Sequence, residues 1–153
     1  MEHGFVFGNR VLDVVFLSWG LAQGYKVLVD IFVNKTFKMT TLWGTGGMPS
    51  SHSSTVTSLA TSIGIVKGFA STDFAISMIL AGIVMYDASG IRRAAGQHAG
   101  IINRLIEKIS STAVISGIQE EKLKELLGHT PFEVLVGALL GIVVAFLFRS
   151  YLI

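Results

Sequence analysis

Apolar residues are concentrated in four segments of the chain, and polar residues fill the stretches between them. The segments cover residues 11–33, 53–70, 74–91 and 132–149. The first is long enough to cross a bilayer as a helix, at about 1.5 Å of rise per residue. The pattern predicts an all-α fold, an integral membrane bundle of about four transmembrane helices in a single domain over residues 1–153.

Two stretches indicate how one of these helices packs and where further helices lie at the membrane interface. Residues 53–70 carry small side chains in place of large apolar ones, which favours a helix packed tightly against others. Residues 97–127 form a hydrophilic insertion that predicts interfacial amphipathic helices, the second and shorter one over 120–127. The apolar positions at helical spacing in the insertion are Ile101, Ile102, Leu105, Ile106 and Ile109.

The composition agrees with a membrane protein and narrows its chemistry. Of 153 residues, 51% are apolar and only 14% are charged, against about 25% charged in a typical soluble domain. The mean hydropathy is +0.64. Cysteine is absent, which excludes disulfides, thiolate catalysis and cysteine-bound metals. The net charge of +2 is too small to indicate a nucleic-acid partner.

A run of small and polar residues stands just before the second apolar segment. It reads Gly46-Gly47-Met48-Pro49-Ser50-Ser51-His52-Ser53. The glycines permit tight turns and close approach of a ligand, and the serines are good N-caps. A helix that begins here would aim unpaired N–H groups at an anion, with His52 on its first turn. The competing interpretation is that the run only caps a membrane helix and that His52 lies among lipid headgroups.

Ionisable side chains also lie inside the first apolar segment. A charge at membrane depth is costly, so each of them is a functional candidate. They are Asp13, Lys26 and Asp30, and the polar Gln23 shares a helical face with the last two. Two structural interpretations of Lys26 stay open: its side chain extends to the membrane interface, or it pairs with Asp30 at i, i+4.

A second informative run, Gly128-His129-Thr130-Pro131-Phe132-Glu133, opens the last apolar segment. Thr130 as N-cap, Pro131 at the first helical position and Glu133 three residues after the cap predict a capping box. His129 and Glu133 also share a helical face, where the carboxylate would hold the imidazole in one tautomer and raise its nucleophilicity. The sequence leaves the structural and the catalytic role of Glu133 both open.

If the four segments cross in succession, the polar residues of both runs share one membrane face with other charged groups. Cations, imidazoles and two helix N-termini then meet, which suits a multiply charged oxyanion. The residues on this face are Lys26, Ser50, His52, Arg92, Arg93, His129 and Glu133.

Two alternatives bear on this prediction. Arg92 and Arg93 have a simpler interpretation as interfacial stop charges. A metal site is the other alternative, disfavoured by the adjacent arginines. Its ligands would be His52, Asp87, His129 and Glu133.

These runs resemble motifs of the type-2 phosphatidic acid phosphatase superfamily, which is related to vanadium-dependent haloperoxidases. Pro49-Ser50-Ser51-His52 resembles the Pro-Ser-Gly-His motif of that family, and His129-x-x-x-Glu133 resembles its His-x-x-x-Asp motif. Residues 47–53 and 86–96 are similar to signatures of the divergent branch of the superfamily. The resemblance covers most of the chain.

The resemblance implies a metal-independent phosphatase that uses no cofactor. His129 would attack phosphorus to form phosphohistidine, His52 would protonate the leaving oxygen, and Glu133 would orient His129. Substrate oxygens would be bound by Lys26, by Ser50, Ser51 and nearby backbone N–H groups, and by Arg92 or Arg93. The substrate class is a lipid phosphate or diphosphate, such as a polyprenyl diphosphate, phosphatidate or phosphatidylglycerol phosphate.

The chain departs from the family pattern at the basic residues. The first family motif ends in Arg-Pro after its lysine, but no such pair follows Lys26, and Lys35 and Lys38 are the alternatives. The arginine and the nucleophilic histidine normally stand close in sequence, whereas the insertion separates Arg92 from His129 here.

The histidine motifs differ as well. Glu133 replaces the aspartate of the family, and Ser51 replaces its glycine. His98 follows Arg92 at the usual spacing of the family but has no acidic residue four positions later, so the flanking sequence favours His129 as the nucleophile.

Loop charge predicts the orientation. By the positive-inside rule the active face is cytoplasmic, in a bacterial inner (plasma) membrane, with both termini outside. Its cations are Lys35, Lys38, Arg92, Arg93, Arg104, Lys108, Lys122 and Lys124, against Arg10, Lys67 and Arg149 on the other face.

The predicted partners are the lipid phosphate and the membrane, and a homodimer would cover an exposed face of so small a bundle. The alternative function is a non-catalytic membrane protein that binds anionic lipid or scaffolds a partner and keeps the phosphate pocket. A transporter fits less well, since the polar cluster lies at an interface and not at the midplane.

Overall fold

The computed structural model describes residues 4–32, 47–112 and 128–153. Within these ranges all regular structure is helical, which confirms the predicted all-α class. The predicted second amphipathic helix over 120–127 lies outside the described residues, as does most of the stretch before the first histidine run. The helices are α1 (Arg10–Phe32), α2 (Ser51–Lys67), α3 (Thr72–Ser89), α4 (Ile91–Thr112), α5 (Pro131–Leu147) and α6 (Arg149–Leu152).

Local sequence sets the ends of the second and third helices. Ser50 is the N-cap of α2, and its hydroxyl accepts a hydrogen bond from the Ser53 N–H at 3.3 Å. Ser71 caps α3 in the same way. Helix α2 ends before Gly68, whose φ of +92° lies in the region that favours glycine. It therefore begins and ends two to three residues earlier than the hydropathy pattern predicts.

Helix α2 is the centre of the bundle and packs against α1, α3 and α5. Its side chains toward α1 are small hydroxyls, and Ser54 meets Ser18 with 2.6 Å between the two Oγ atoms. The Ser54 hydroxyl also donates to the Ser18 carbonyl oxygen. The predicted tight packing of this small-residue segment is confirmed, because short side chains let the two backbones approach closely.

Two glycines of α5 make a second close contact with α2. A Cβ atom at Gly141 would run into the Ser54 carbonyl oxygen, and one at Gly137 would run into the backbone of Ser50. Between them, the Thr57 hydroxyl donates to the Ala138 carbonyl oxygen at 3.0 Å. The Gly-x-x-x-Gly spacing therefore fixes the position of α5 along the start of α2.

The outer faces of the bundle carry large apolar side chains. Ile79 on α3 is 67% exposed and Leu147 on α5 is 74% exposed. Such surfaces suit a hydrocarbon environment. Two helical stretches, Arg10–Phe32 and Thr72–Ile109, are long and apolar enough to cross a membrane, and Pro131–Leu147 is apolar but shorter. The number of four transmembrane helices stays a prediction.

Helix α4 begins earlier than the predicted insertion. Gly90 interrupts the helical path, and α4 resumes at Ile91 in place of residue 97. Arg92 and Arg93 therefore lie in the first turn of α4. This helix is strongly amphipathic. Ile101 and Leu105 are exposed on its apolar side, and Asn103 is buried on a different side.

Candidate functional site

Four helices meet at the end of the bundle where both histidine runs lie. The His129 N–H donates to the carbonyl oxygen of Ala88 at the end of α3, at 3.0 Å. The Ser50 N–H donates to the carbonyl oxygen of Glu133 on α5, at 3.1 Å. The predicted meeting of these helix ends is confirmed. We call the group of side chains gathered here the histidine site, which consists of Lys26, Ser50, Ser51, His52, His129 and Glu133.

The start of α5 holds a histidine and a carboxylate in contact. His129 Nδ1 lies 2.9 Å from Glu133 Oε2. Thr130 caps the helix, its hydroxyl accepting from the Glu133 N–H, while the Thr130 N–H donates to the Glu133 carboxylate. The predicted capping box is present, and the same carboxylate serves both the cap and the imidazole.

His129 is buried, and its two ring nitrogens differ in environment. The side chain is 2% exposed, and in the described part of the chain Nε2 has no hydrogen-bond partner. A carboxylate only accepts hydrogen bonds, so contact with Glu133 fixes the proton on Nδ1. In the neutral ring Nε2 then carries a lone pair, and a buried polar atom without a partner among the described residues calls for an explanation.

His52 lies in the first turn of α2 and is half-buried. Its ring is packed edge-on against that of His129, with 5.8 Å between the centroids and 64° between the planes. The two imidazoles come from residues far apart in sequence and are close enough to contact the same small oxyanion.

Lys26 reaches the histidine site from α1. It is 6% exposed, and its Nζ donates to the Ser51 hydroxyl at 3.5 Å. Glu133 is an acidic group near enough to attract this ammonium. Lys26 therefore lies inside the bundle, which contradicts the interpretation that it extends to an exposed interface.

The start of α2 supplies hydrogen-bond donors beside Lys26. The Ser50 hydroxyl is used within the protein, because it accepts from both the N–H and the hydroxyl of Ser53. The first N–H groups of a helix, here that of Ser51, have no acceptor inside that helix. Together with the helix dipole they are suited to an anion.

The remaining sequence candidates lie outside this group or at its edge. Arg93 is exposed on the first turn of α4, and no described hydrogen bond or ion pair joins it to the histidine site, while Arg92 precedes it in the same turn. His98 is exposed on α4, and Asp87 is half-buried near the end of α3. Among the described residues, no three His, Asp or Glu side chains form a group able to hold a metal ion.

Sequence reasoning missed several residues that hold the site together. The Ala88 carbonyl oxygen anchors His129, and any residue type offers such an oxygen, so no sequence signal existed. Gly137 lets α5 approach Ser50, and its Gly-x-x-x-Gly spacing with Gly141 was a usable signal. Ser18 also offered little signal, because its partner Ser54 is known only once the helices are packed.

In the described ranges the fold and site define a helical protein in which a buried histidine contacts a half-buried carboxylate where four helices meet. The chain belongs to the divergent PAP2 family, whose model matches residues 7–144. It is similar to the uncharacterized membrane protein YuiD of Bacillus subtilis (strain 168), with 42% identity over 129 residues that cover 79% of this chain and 82% of YuiD. No solved structure matches the chain.

Proposed function

We propose that this protein is a membrane phosphatase that hydrolyses a lipid phosphate or diphosphate through a phosphohistidine intermediate. The observation that carries the proposal is the state of His129. Its Nδ1 contacts the Glu133 carboxylate at 2.9 Å, and its buried Nε2 has no partner in the described ranges. A neutral imidazole oriented by a carboxylate is the arrangement of an activated nucleophile.

The first half-reaction forms the intermediate. His129 Nε2 donates its electron pair to phosphorus, and the bond from phosphorus to the lipid oxygen breaks. His52, as imidazolium, gives its proton to that oxygen, and the lipid alcohol or monophosphate leaves. Glu133 stabilises the positive charge that develops on the His129 ring.

The second half-reaction releases phosphate. His52, now neutral, removes a proton from a water molecule as the water oxygen attacks phosphorus. The bond from phosphorus to Nε2 then breaks, and inorganic phosphate leaves with His129 restored. His52 thus acts as acid in one step and as base in the other, which its contact with the His129 ring supports.

Lys26 and the start of α2 would stabilise the charge on the phosphoryl oxygens. The Lys26 ammonium is buried beside Ser51, where a charge interacts more strongly than in water. Preorganised donors of this kind usually supply the largest catalytic contribution. Arg92 or Arg93, in the first turn of α4, would supply the further cation that the family resemblance implies.

The proposed location is an integral position in a bacterial inner membrane, with four helices crossing and the histidine site on the cytoplasmic face. The relative YuiD is named a membrane protein, and the outer faces of α1, α3 and α5 are apolar. The excess of lysine and arginine on the loops of the site face favours the cytoplasmic side.

The experiment is phosphate release by the purified protein in detergent with EDTA present, from a panel of polyprenyl diphosphates, phosphatidate and phosphatidylglycerol phosphate. We expect turnover in the native chain, none in His129→Ala, and acid-labile radiolabel on His129 after a rapid quench. The control His98→Ala changes an exposed histidine of α4 and should keep full activity.

The opposite outcome also has a clear meaning. Suppose that no lipid of the panel is hydrolysed, that the native chain binds lipid phosphates, and that His129→Ala does not bind them. The protein is then a non-catalytic anionic-lipid-binding or scaffold protein that uses the same site.

A further inference from the structure

An apolar groove runs beside the histidine site, between α1, α5 and the loop before α2. Its volume is about 600 Å³, within the usual range of ligand pockets. One wall is formed by Gly20 and Gly24 of α1 and the opposite wall by Val136 and Leu140 of α5, with Met48 and Pro49 at one end.

The groove begins beside the histidine site. Pro49, at one end of the groove, directly precedes Ser50, and Val136 lies about one helical turn after Glu133. From that end the groove follows α5 to Leu140, about 10 Å farther along the helix. It therefore leads away from the polar end of the bundle and parallel to its helices.

Two exposed glycines on α1 make the groove open. A Cβ atom added to Gly20 or Gly24 would meet nothing within 4 Å, so neither glycine is required by packing inside the protein. Glycine in a helix interior weakens the helix relative to alanine. Two such glycines one turn apart leave the groove open along the face of α1.

We infer that this groove binds one hydrocarbon chain of the lipid whose phosphate occupies the histidine site, an inference that rests on the proposed function. The occupant follows from the two ends of the groove. Pro49 at one end lies next to Ser50 of the histidine site, whose buried Lys26 suits an anionic headgroup, and the walls are apolar and follow the helices, as a lipid chain does in a bilayer. Gly20 and Gly24 are then specificity-determining residues for chain length and shape.

The test fills the groove with Gly24→Leu and compares it with Gly82→Leu. Gly82 is an exposed glycine of α3 that also has nothing within 4 Å of an added Cβ, and it lies outside the groove. We expect Gly24→Leu to lower kcat/KM for a long-chain lipid phosphate about tenfold or more, since pocket fit discriminates on this scale. A short-chain, water-soluble phosphate should be hydrolysed at the native rate, and Gly82→Leu should change neither. No loss, or an equal loss on both substrates, would overturn the inference.

A second readout does not require turnover. Polyprenyl and diacyl phosphates with a diazirine on the chain are photolysed in vesicles with the native chain and both variants. We expect labelled residues on the facing walls of α1 and α5, competition by unlabelled lipid phosphate but not by the matching lipid alcohol, and loss of labelling in Gly24→Leu only. The probe that labels and competes better identifies the chain as isoprenoid or acyl.

The two proposals fail in different ways. Label that is not competed and that spreads over exposed α3 residues such as Ile79 and Ile83 would indicate ordinary contact with the bilayer. That result would overturn the inference that the groove binds a lipid chain. A cross-link showing that a second copy of the protein occupies the groove would overturn it as well. If the groove is labelled with competition but no lipid phosphate is hydrolysed, the proposed lipid-chain site stands and the proposed phosphatase activity is overturned. If hydrolysis depends on His129 but no competed labelling is seen, the phosphatase activity stands and the lipid-chain site is overturned.

Discussion

His129 and Glu133 form the most informative pair in this protein, with Nδ1 and Oε2 2.9 Å apart at the first turn of α5. The carboxylate closes the capping box of the helix and contacts the imidazole at the same time. A structural and a catalytic role therefore coincide in one side chain, and variants can separate them.

Glu133→Gln should keep the helix cap and lose the charge. Glutamine also serves in a capping box, so we expect unchanged thermal stability. The neutral amide cannot stabilise a positive His129 ring, and kcat should fall about 100-fold or more. Phosphate release and thermal unfolding in detergent measure the two effects.

The matched control is Thr130→Ala, which removes the cap and keeps the carboxylate. It should lower the free energy of unfolding by about 0.5–2 kcal/mol with little change in kcat. If instead Glu133→Gln lost stability and kept activity, the pair would be only structural.

Lys26→Met should abolish most of the binding of the phosphoryl oxygens. Methionine has a similar length and fits an apolar cavity, so the bundle should remain folded. Loss of one preorganised donor to a developing charge should reduce kcat about 100-fold or more. Lys26→Arg should recover part of the rate. Equal rates for native chain and Lys26→Met would show that Lys26 does not contact the phosphate.

His52→Gln should make the rate depend strongly on the leaving group. His52 is proposed to protonate the lipid oxygen, which a poor leaving group such as an alkoxide requires and an activated aryl phosphate does not. We therefore expect a large loss on lipid phosphates and a small one on an aryl phosphate. The measurement is kcat of the variant on a lipid phosphate and on an aryl phosphate. An equal loss of kcat on both substrates would indicate that His52 binds the phosphate and does not protonate the leaving oxygen.

Gly141→Ala should destabilise the bundle without touching the chemistry. Its Cβ would run into the Ser54 carbonyl oxygen and lie 2.8 Å from the Ser58 backbone nitrogen, neither of which is a flexible side chain. Overpacking of this kind costs about 1–3 kcal/mol. Gly82→Ala is the control, since it adds a methyl group in open space and favours the helix. Thermal unfolding of the two variants should move in opposite directions.

Tyr151→Phe should release the start of the chain at the other end of the bundle. The Tyr151 hydroxyl donates to Asp13 at 2.6 Å and accepts from the Phe5 N–H at 3.2 Å. Hydrogen exchange at Phe5 should become faster, with activity unchanged. An unchanged exchange rate would mean that other contacts hold this segment.

The same contact predicts a pH dependence. Its hydrogen bond to Asp13 raises the pKa of Tyr151 above the ordinary value. The stabilisation is thus fully present below the ordinary tyrosine pKa of about 10 and is lost as the pH rises through the higher pKa of the folded protein. A titration of tyrosinate absorbance should show one tyrosine in the native chain that ionises above the ordinary pKa and is missing from Tyr151→Phe.

Features that depend on neighbouring residues could be predicted from the sequence. The apolar segments indicate helices because their length and composition suit no other structure in lipid. The capping box and the approach of His129 to Glu133 follow from spacings of three and four residues, which a helix brings together wherever it lies. The start of α2 at the Ser50 cap belongs to the same class.

Features that depend on how the helices are rotated and packed could not be predicted from the sequence. The contact of Lys26 with Ser51 joins residues 25 positions apart, and the interfacial alternative for Lys26 is removed only by the packing of α1 on α2. The Ala88 carbonyl oxygen that binds the His129 N–H has no sequence signature at all.

The sequence by itself determined the helical class, the family motifs and the local histidine–carboxylate pair, because these depend on composition and on spacings within a helix. Only the tertiary structure decided which side chains share the site, that Lys26 lies inside it, that Arg93 is exposed apart from it, and that a groove open at Gly20 and Gly24 begins beside it. The physical reason is that helix rotation and separation are set by packing between distant residues, here Ser18 on Ser54 and Gly141 on α2.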